Sequence, residues 1–269
     1  SEKAKMWKIE EFDNLELLSA RYVDQMFPWH THESYCIGII QKGAEFLEFR
    51  NKKIFAPAGS IITINPHKAH KNFAALSDGW THRMFYVSED VLKFASKDNG
   101  ISSISFKNAV QRNNEIYSNL KRVHLFLEKN PFNKEIEELF IITLQRLVNE
   151  YATDYSSQSA PNTNDVFPIA QYLQKHMEQD ITIETLSNKF DLSSYYLIRK
   201  FKKKIGLTPH SYLVQARINK AKQLLEKEKP IAQIALDTGF YDQSHFTKYF
   251  QRYVGISPHE FSKNRNFLQ

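Results

Sequence analysis

The sequence predicts a two-domain α+β protein, in which a β-rich N-terminal domain with two helices precedes an all-helical C-terminal domain. Three observations support this prediction. Short β-type runs bounded by turn residues fill 22–90, a helical period replaces them over 107–152, and two similar helical segments recur in the last third. We expect the N-terminal domain to occupy 1–152 and the C-terminal domain 167–269, with a linker over 153–166.

Composition and charge limit the class of protein. The 269 residues are 42% hydrophobic, which suffices for two cores, and no apolar run approaches the roughly 20 residues of a membrane helix. A single cysteine, Cys36, excludes an internal disulfide and a multi-cysteine zinc site. Residues 161–269 hold 16 Lys and Arg against 10 Asp and Glu, which is the whole net charge of +6. We expect a cytoplasmic protein without membrane contact, whose C-terminal domain binds a polyanion.

The N-terminal domain begins as a series of short strands. Its β-type runs are SYCIGII, EFLEFR, SIITI and HRMFYV. They are separated by turn signals at 42–43, 56–59, 65–66 and 77–79. Strands at this spacing predict a sandwich or a small barrel.

Two helices and a linker follow the strands. Apolar residues recur every three or four positions from Ile116 to Leu127 and again from Ile136 to Val148, with Pro131 between the two stretches. The next segment, 151–165, is polar and rich in Ser, Thr and Asn. Such a composition buries too little apolar surface to order itself, which supports the linker expected over 153–166.

The C-terminal third contains an internal repeat. Residues 183–212 match 231–261 at a spacing of 48, which becomes 49 after one inserted residue. The pairs include Leu197 with Phe246 and Phe201 with Phe250, whose spacing of four marks one buried helix face. Each copy therefore predicts a short helix (184–190 or 232–238), a tight turn and a second helix.

Capping residues support this helix-turn-helix interpretation. The turns hold Asp191 and Gly239, which tolerate the left-handed backbone conformation to different degrees. Ser193 and Asp242 are favourable N-caps for the second helices, and one glycine lies just after the C-terminal end of each second helix. Between the copies, 209–227 predicts one continuous helix of about 27 Å, which can hold two recognition helices about one DNA turn (~34 Å) apart. The basic run RKFKKK (199–204) supplies charges for phosphates.

Residues 168–265 resemble the DNA-binding domain of the AraC/XylS family, most closely in the second copy, IAQIALDTGFYDQSHFTKYFQRYVGISPHEF. The resemblance implies base-edge contacts from the outward faces of both recognition helices. By position these contacts fall on Ser194, Tyr195, Ile198 and Arg199, and on Gln243, Ser244, His245 and Lys248. We expect phosphate contacts from Lys202, Lys203 and Arg217.

The N-terminal segments PWHTHESYCIGIIQKG and APAGSIITINPHKAH resemble the two motifs of the cupin barrel, the usual effector domain of AraC-type regulators. Three histidines of these motifs offer a facial metal site. However, a metal-binding cupin normally brings a Glu a few residues after the His pair, where Cys36 and Ile37 stand here. We therefore predict no metal or other cofactor. We predict instead an effector pocket that draws on His30, His32, Tyr35, His70, Trp80, Arg83 and Tyr86.

Together these features predict a sequence-specific, effector-controlled transcription regulator, activator or repressor, and not an enzyme. Its expected partners are double-stranded DNA in the major groove, a small molecule, a second copy bound through the helices at 109–152 and, for an activator, RNA polymerase. Binding to DNA would place it on the nucleoid. Two alternatives remain open. One is a metal-dependent cupin enzyme tethered to DNA, and the other is a DNA-binding protein without an effector.

Overall fold

The computed structural model describes residues 3–97, 103–154, 166–227 and 229–263. Most of the predicted linker, 153–166, lies outside these ranges. The strands are β1 (Lys3–Ile9), β2 (Leu15–Tyr22), β3 (Tyr35–Phe49), β4 (Lys52–Pro57), β5 (Ile61–Ile64), β6 (His70–Ala74), β7 (Trp80–Val87), β8 (Ile104–Phe106), β9 (Val110–Gln111) and β10 (Ala152–Asp154). The helices are α1 (Glu89–Ala95), α2 (Asn114–Leu127), α3 (Lys134–Tyr151), α4 (Phe167–Lys175), α5 (Ile183–Phe190), α6 (Ser194–Ile205), α7 (Pro209–Leu225), α8 (Ile231–Asp237), α9 (Gln243–Val254) and α10 (Pro258–Lys263).

Strand β3 organises the N-terminal domain because it belongs to two layers. Its first half pairs with β5 and β7, and its second half pairs with β4 and β6. The register shifts between Ile40 and Lys42, and Gly43 has a φ of +66°. The predicted turn at 42–43 is therefore wrong, because these residues form a bulge that bends one long strand. The main strand order is β1-β2-β7-β3-β5-β9, and pairing among the described residues leaves the sheet open.

The two faces of this bent sheet have different partners. The outer face, with Ile37 and Phe85, packs against α1, α2 and α3 through a core that includes Leu120, Phe140 and Leu144. The predicted helical pair is thus confirmed, and its apolar stripes cover the sheet. The inner face surrounds a cavity and continues as an apolar core into the C-terminal domain.

The C-terminal domain contains the two predicted helix-turn-helix units, α5–α6 and α8–α9, joined by α7. Asp191 adopts the left-handed conformation (φ 51°) in the first turn, and Gly206 and Gly255 end the two second helices with φ of 89° and 87°. The side chains of Ser193 and Asp242 cap those helices by accepting from the amides of Tyr196 and His245. The predicted repeat geometry is therefore confirmed in its turns, caps and terminators.

The two domains contact each other closely. Tyr22 and Trp80 of the inner sheet belong to the same apolar core as Phe246 and Phe250 of the second helix-turn-helix unit. A side chain at Gly255 would overlap the Tyr22 hydroxyl, so this glycine also permits the close approach. Among the helices in the described ranges, none has both the length and the apolar character needed to cross a bilayer.

Candidate functional sites

The second helix of each helix-turn-helix unit presents an outward face of polar and aromatic side chains. On α6, Tyr195 is 73% exposed, and Ile198 and Arg199 are also exposed. Ser194 is half-buried, and its hydroxyl lies 3.0 Å from that of Ser187 on α5. On α9, the expected base-reading residues are exposed: Gln243, Ser244, His245 and Lys248.

Tyr241 is an exposed aromatic residue that the sequence reasoning missed. It is 88% exposed and stands immediately before Asp242, the N-cap of α9. The signal was the single residue inserted in the turn of the second copy of the repeat, because that residue is Tyr241. A side chain at this position belongs to the same surface as the amino-terminal end of the recognition helix.

The three expected phosphate contacts separate into two groups. Lys202 and Lys203 are exposed near the end of α6. Arg217 is half-buried instead, and its guanidinium donates to the carbonyl oxygens of Met177 (2.7 Å) and Gln179 (2.8 Å). The assignment of Arg217 to phosphate is corrected accordingly, because its donors hold α7 against the α4–α5 connection.

The inner face of the sheet encloses a cavity of about 470 Å³. Its floor and sides come from β1, β2, β3, β5, β6 and β7, and its roof is α7, with Tyr253 and Val254 of α9 at one edge. Four of the seven expected pocket residues line it: His30, His32, His70 and Tyr86.

Tyr35, Trp80 and Arg83 do not line this cavity. Tyr35 and Arg83 lie on the outer side of the sheet, where the Tyr35 hydroxyl donates to the carbonyl of Ile104 and Arg83 pairs with Glu128 at 2.6 Å. Alternation along a strand explains the separation, because Arg83 has the opposite parity to His82 and Tyr86. Trp80 faces inward but packs in the apolar core. Their assignment to the pocket is therefore corrected.

The upper part of the cavity carries the three histidines. His30 and His70 are buried, and burial lowers their pKa from 6.5 to about 4 and about 3. Burial and the neighbouring histidines also lower the pKa of His32 well below its usual value. All three imidazoles are consequently neutral at pH 7 and can act as hydrogen-bond acceptors or metal ligands.

The deep part of the cavity holds a buried carboxyl group. Glu45 accepts a hydrogen bond from the Asn72 amide at 3.0 Å, and burial raises its pKa to about 7. Nearby, the Nδ1 atom of His82 accepts from Trp80 at 3.2 Å, so the neutral ring carries its proton on Nε2. That Nε2 atom has no partner among the described residues. The sequence reasoning missed Glu45 and His82, because alternation alone does not show which strand face is enclosed.

Polar contacts tie helix α7 to the cavity rim, and two of those in the described part of the chain involve side chains of α7 itself. Thr31, the central residue of the His-x-His motif, donates its amide to Gln215 Oε1 at 2.9 Å, and Gln215 Nε2 donates back to the Thr31 carbonyl and hydroxyl oxygens, both at 2.9 Å. The second contact is an ion pair of 2.8 Å between Lys222 and Glu16. Sequence reasoning could not find these pairs, which are separated by 184 and 206 positions.

Comparisons with known proteins agree with this arrangement. The profile of the AraC-like ligand binding domain matches residues 14–144, and that of a helix-turn-helix domain matches 186–264. The uncharacterized HTH-type transcriptional regulator YbfI of Bacillus subtilis is 32% identical over 86% of each chain. The HTH-type transcriptional activator RhaS of Yersinia pestis is 23% identical over 90% of this chain and 92% of its own. Fatty-acid-bound ToxT from Vibrio cholerae is 12% identical, with a TM-score of 0.53 over 99% of this chain and 95% of its own, which shows a shared fold.

A tandem helix-turn-helix domain joined to a ligand-binding sheet defines a DNA-binding transcription regulator under the control of a small-molecule effector. The chain belongs to the AraC family of these regulators.

Proposed function

We propose that the cavity under α7 is the effector site and that its occupancy changes how the DNA-binding domain is held. One observation supports this directly: α7 is both the roof of the cavity and the connection between the two helix-turn-helix units. A ligand that contacts α7 in one arrangement of the domains more than in another shifts the population toward the favoured arrangement. This shift changes how the base-reading residues on α6 and α9 are presented to DNA.

A cavity-filling variant tests the effector site. Leu47 lies on the inner face of β3, whereas Lys53 of the neighbouring strand is exposed on the outer face. We expect one or more compounds of a metabolite panel to raise the melting temperature of the full chain by mass action. Leu47→Phe should abolish that response and Lys53→Phe should retain it. A response that survives Leu47→Phe unchanged would place the effector elsewhere.

We also propose a homodimer formed through the 109–152 helices. Supporting this, Ile142 on α3 is 60% exposed although α3 otherwise packs on the sheet. Sedimentation equilibrium should show a dimer that Ile142→Glu dissociates.

The similar protein RhaS is named as a transcriptional activator, which favours RNA polymerase as a further partner. Stimulation of transcription in a purified system tests this.

Finally, we propose that the protein works at the nucleoid in the cytoplasm and has no catalytic activity. The similar proteins are named as transcription regulators, which favours this view over a cupin enzyme tethered to DNA. Turnover of a panel compound that binds the cavity would contradict it.

A further inference from the structure

The three cavity histidines are held in position by the backbone. His30 and His70 are directly opposite each other in an antiparallel bridge, with amide-to-carbonyl distances of 2.9 and 3.0 Å in the two directions. Their side chains therefore lie on the same face, and their ring centroids are 4.3 Å apart. His32, two residues after His30, places its ring 4.8 Å from that of His30 and 5.4 Å from that of His70.

Hydrogen bonds fix the protonation of two of these rings. The Nδ1 atom of His30 lies 2.7 Å from the carbonyl oxygen of Pro28, and that of His70 lies 2.8 Å from the carbonyl oxygen of Lys68. A carbonyl oxygen only accepts, so each Nδ1 carries the proton and each Nε2 keeps its lone pair. Histidines that bind a metal almost always show this pattern, because the carbonyl fixes the ring and makes the opposite nitrogen more basic.

We propose that His30, His32 and His70 form a binding site for a divalent transition-metal ion. Each offers one nitrogen, and the three nitrogens lie within 4.8 Å of one another. Imidazole nitrogens suit zinc, nickel, copper and iron, and three histidines without a carboxylate suffice for a zinc site that leaves one position for water. The sequence analysis predicted no metal because no Glu follows the His pair. Since three histidines suffice, the missing Glu does not prevent metal binding.

Metal occupancy is communicated to the DNA-binding domain through Thr31. This residue lies between two of the three ligands, and Gln215 of α7 holds both its amide and its carbonyl. Drawing His30 and His32 toward an ion moves the Thr31 backbone and so changes the contact with α7. This regulatory step rests on the proposed function, in which α7 transmits occupancy of the cavity.

Metal binding is tested on the full chain without a histidine tag, stripped with a chelator and dialysed against Zn²⁺ or Co²⁺. We expect one ion per chain by elemental analysis and visible absorption of bound Co²⁺. His32→Gln and His70→Gln should each weaken binding by at least about tenfold, since even loss of a second-shell contact costs roughly 10- to 100-fold. The matched control is His67→Asn, because His67 is exposed on the β5–β6 loop and its φ of +59° suits asparagine.

Circular dichroism and melting of each variant separate lost ligation from lost folding. No bound ion in the native chain, or full binding in both folded His variants, would overturn the metal site.

The regulatory step is tested on a DNA fragment selected from random sequence by the chain itself. Zn²⁺ should change the affinity for this fragment, and Gln215→Ala should keep one bound zinc while losing the change. Zinc that binds without altering DNA affinity would overturn the communication through Thr31. A metal-free chain that still responds to an organic compound would leave the proposed effector cavity standing, so the two proposals fail separately.

Discussion

At the scale of single residues, the inner cavity concentrates groups whose protonation differs between the folded and unfolded chain. Burial lowers the pKa of His30, His70 and His82 to between about 3 and 4, and raises that of Glu45 to about 7. The histidines bind fewer protons in the folded state, so their stabilising effect is present above pH 6.5 and is lost as the pH falls toward 3. Glu45 acts in the opposite direction.

Glu45→Gln isolates the contribution of the carboxyl group. The folded pKa of Glu45 exceeds the unfolded value of 4.5, so its stabilising effect is present below pH 4.5 and lost as the pH rises through 7. We expect the variant and the parent to have the same free energy of unfolding below pH 4.5. Above pH 8 the free energy of unfolding of the variant should be higher by about 3 kcal/mol. Urea unfolding across this range measures the difference. A constant difference at all pH values would mean that Glu45 is not buried as a neutral acid.

Arg199 and Arg217 are two arginines with different expected roles. Arg199→Ala should weaken binding to the selected DNA by about 1–3 kcal/mol, and binding to random DNA much less, if its guanidinium reads a base. Lys202→Ala, at an expected phosphate contact, should weaken binding to both DNAs equally and serves as the control. Equal losses on both DNAs for Arg199→Ala would instead indicate that Arg199 contacts phosphate.

Arg217→Ala should lower the free energy of unfolding by about 1–3 kcal/mol, because it leaves two backbone carbonyls without their donor.

At the scale of elements, the sequence predicted helix ends and turns correctly where the signal lies within a few residues. The caps, turns and terminators of both helix-turn-helix units were predicted because each depends on one side chain or one glycine. The residues Lys-Gly at 42–43 were misread because a bulge and a hairpin turn use the same amino acids, and only pairing partners distinguish them. Strands β1 and β2 were missed: they precede the first predicted β-type run, SYCIGII, and the turn between them holds Asp13 and Asn14 at φ of 50° and 55°.

The β3 bulge itself is testable through its glycine. Gly43 has a φ of +66°, and an added Cβ would overlap the Gly79 carbonyl, whereas Gly59 has a φ of +86° and open space around it. Gly59→Ala should cost about 1 kcal/mol for the backbone conformation alone. Gly43→Ala should cost about 2 kcal/mol more, since the neighbouring strand must move. Thermal unfolding of the two variants compares them, and equal losses would contradict the close packing at the bulge.

At the scale of the whole molecule, the sequence predicted two functions but not their contact. The basic C-terminal half, the repeat and the His-x-His motif each indicated a domain, because each signal belongs to one segment. The roof of the cavity could not be predicted in this way. The sequence of α7 predicts only a helix that connects the two DNA-binding units, and its contacts with Thr31 and Glu16 join residues far apart in sequence. The proposed effector site is therefore formed where the two domains dock.

Docking through α7 gives the final prediction. In Gln215→Ala/Lys222→Ala, the three Thr31 hydrogen bonds and the Glu16 ion pair are removed, and a net loss of about 1–3 kcal/mol in docking free energy is expected. Amide hydrogen exchange should then accelerate by roughly 5- to 150-fold at Thr31 and along α7, because local opening becomes more frequent. The outer sheet core around Leu120 should exchange at its original rate, and Lys203→Ala, on the exposed face of α6, should leave both regions unchanged. Uniform acceleration throughout the chain would instead show that the two contacts stabilise the whole fold and not the docking of one domain on the other.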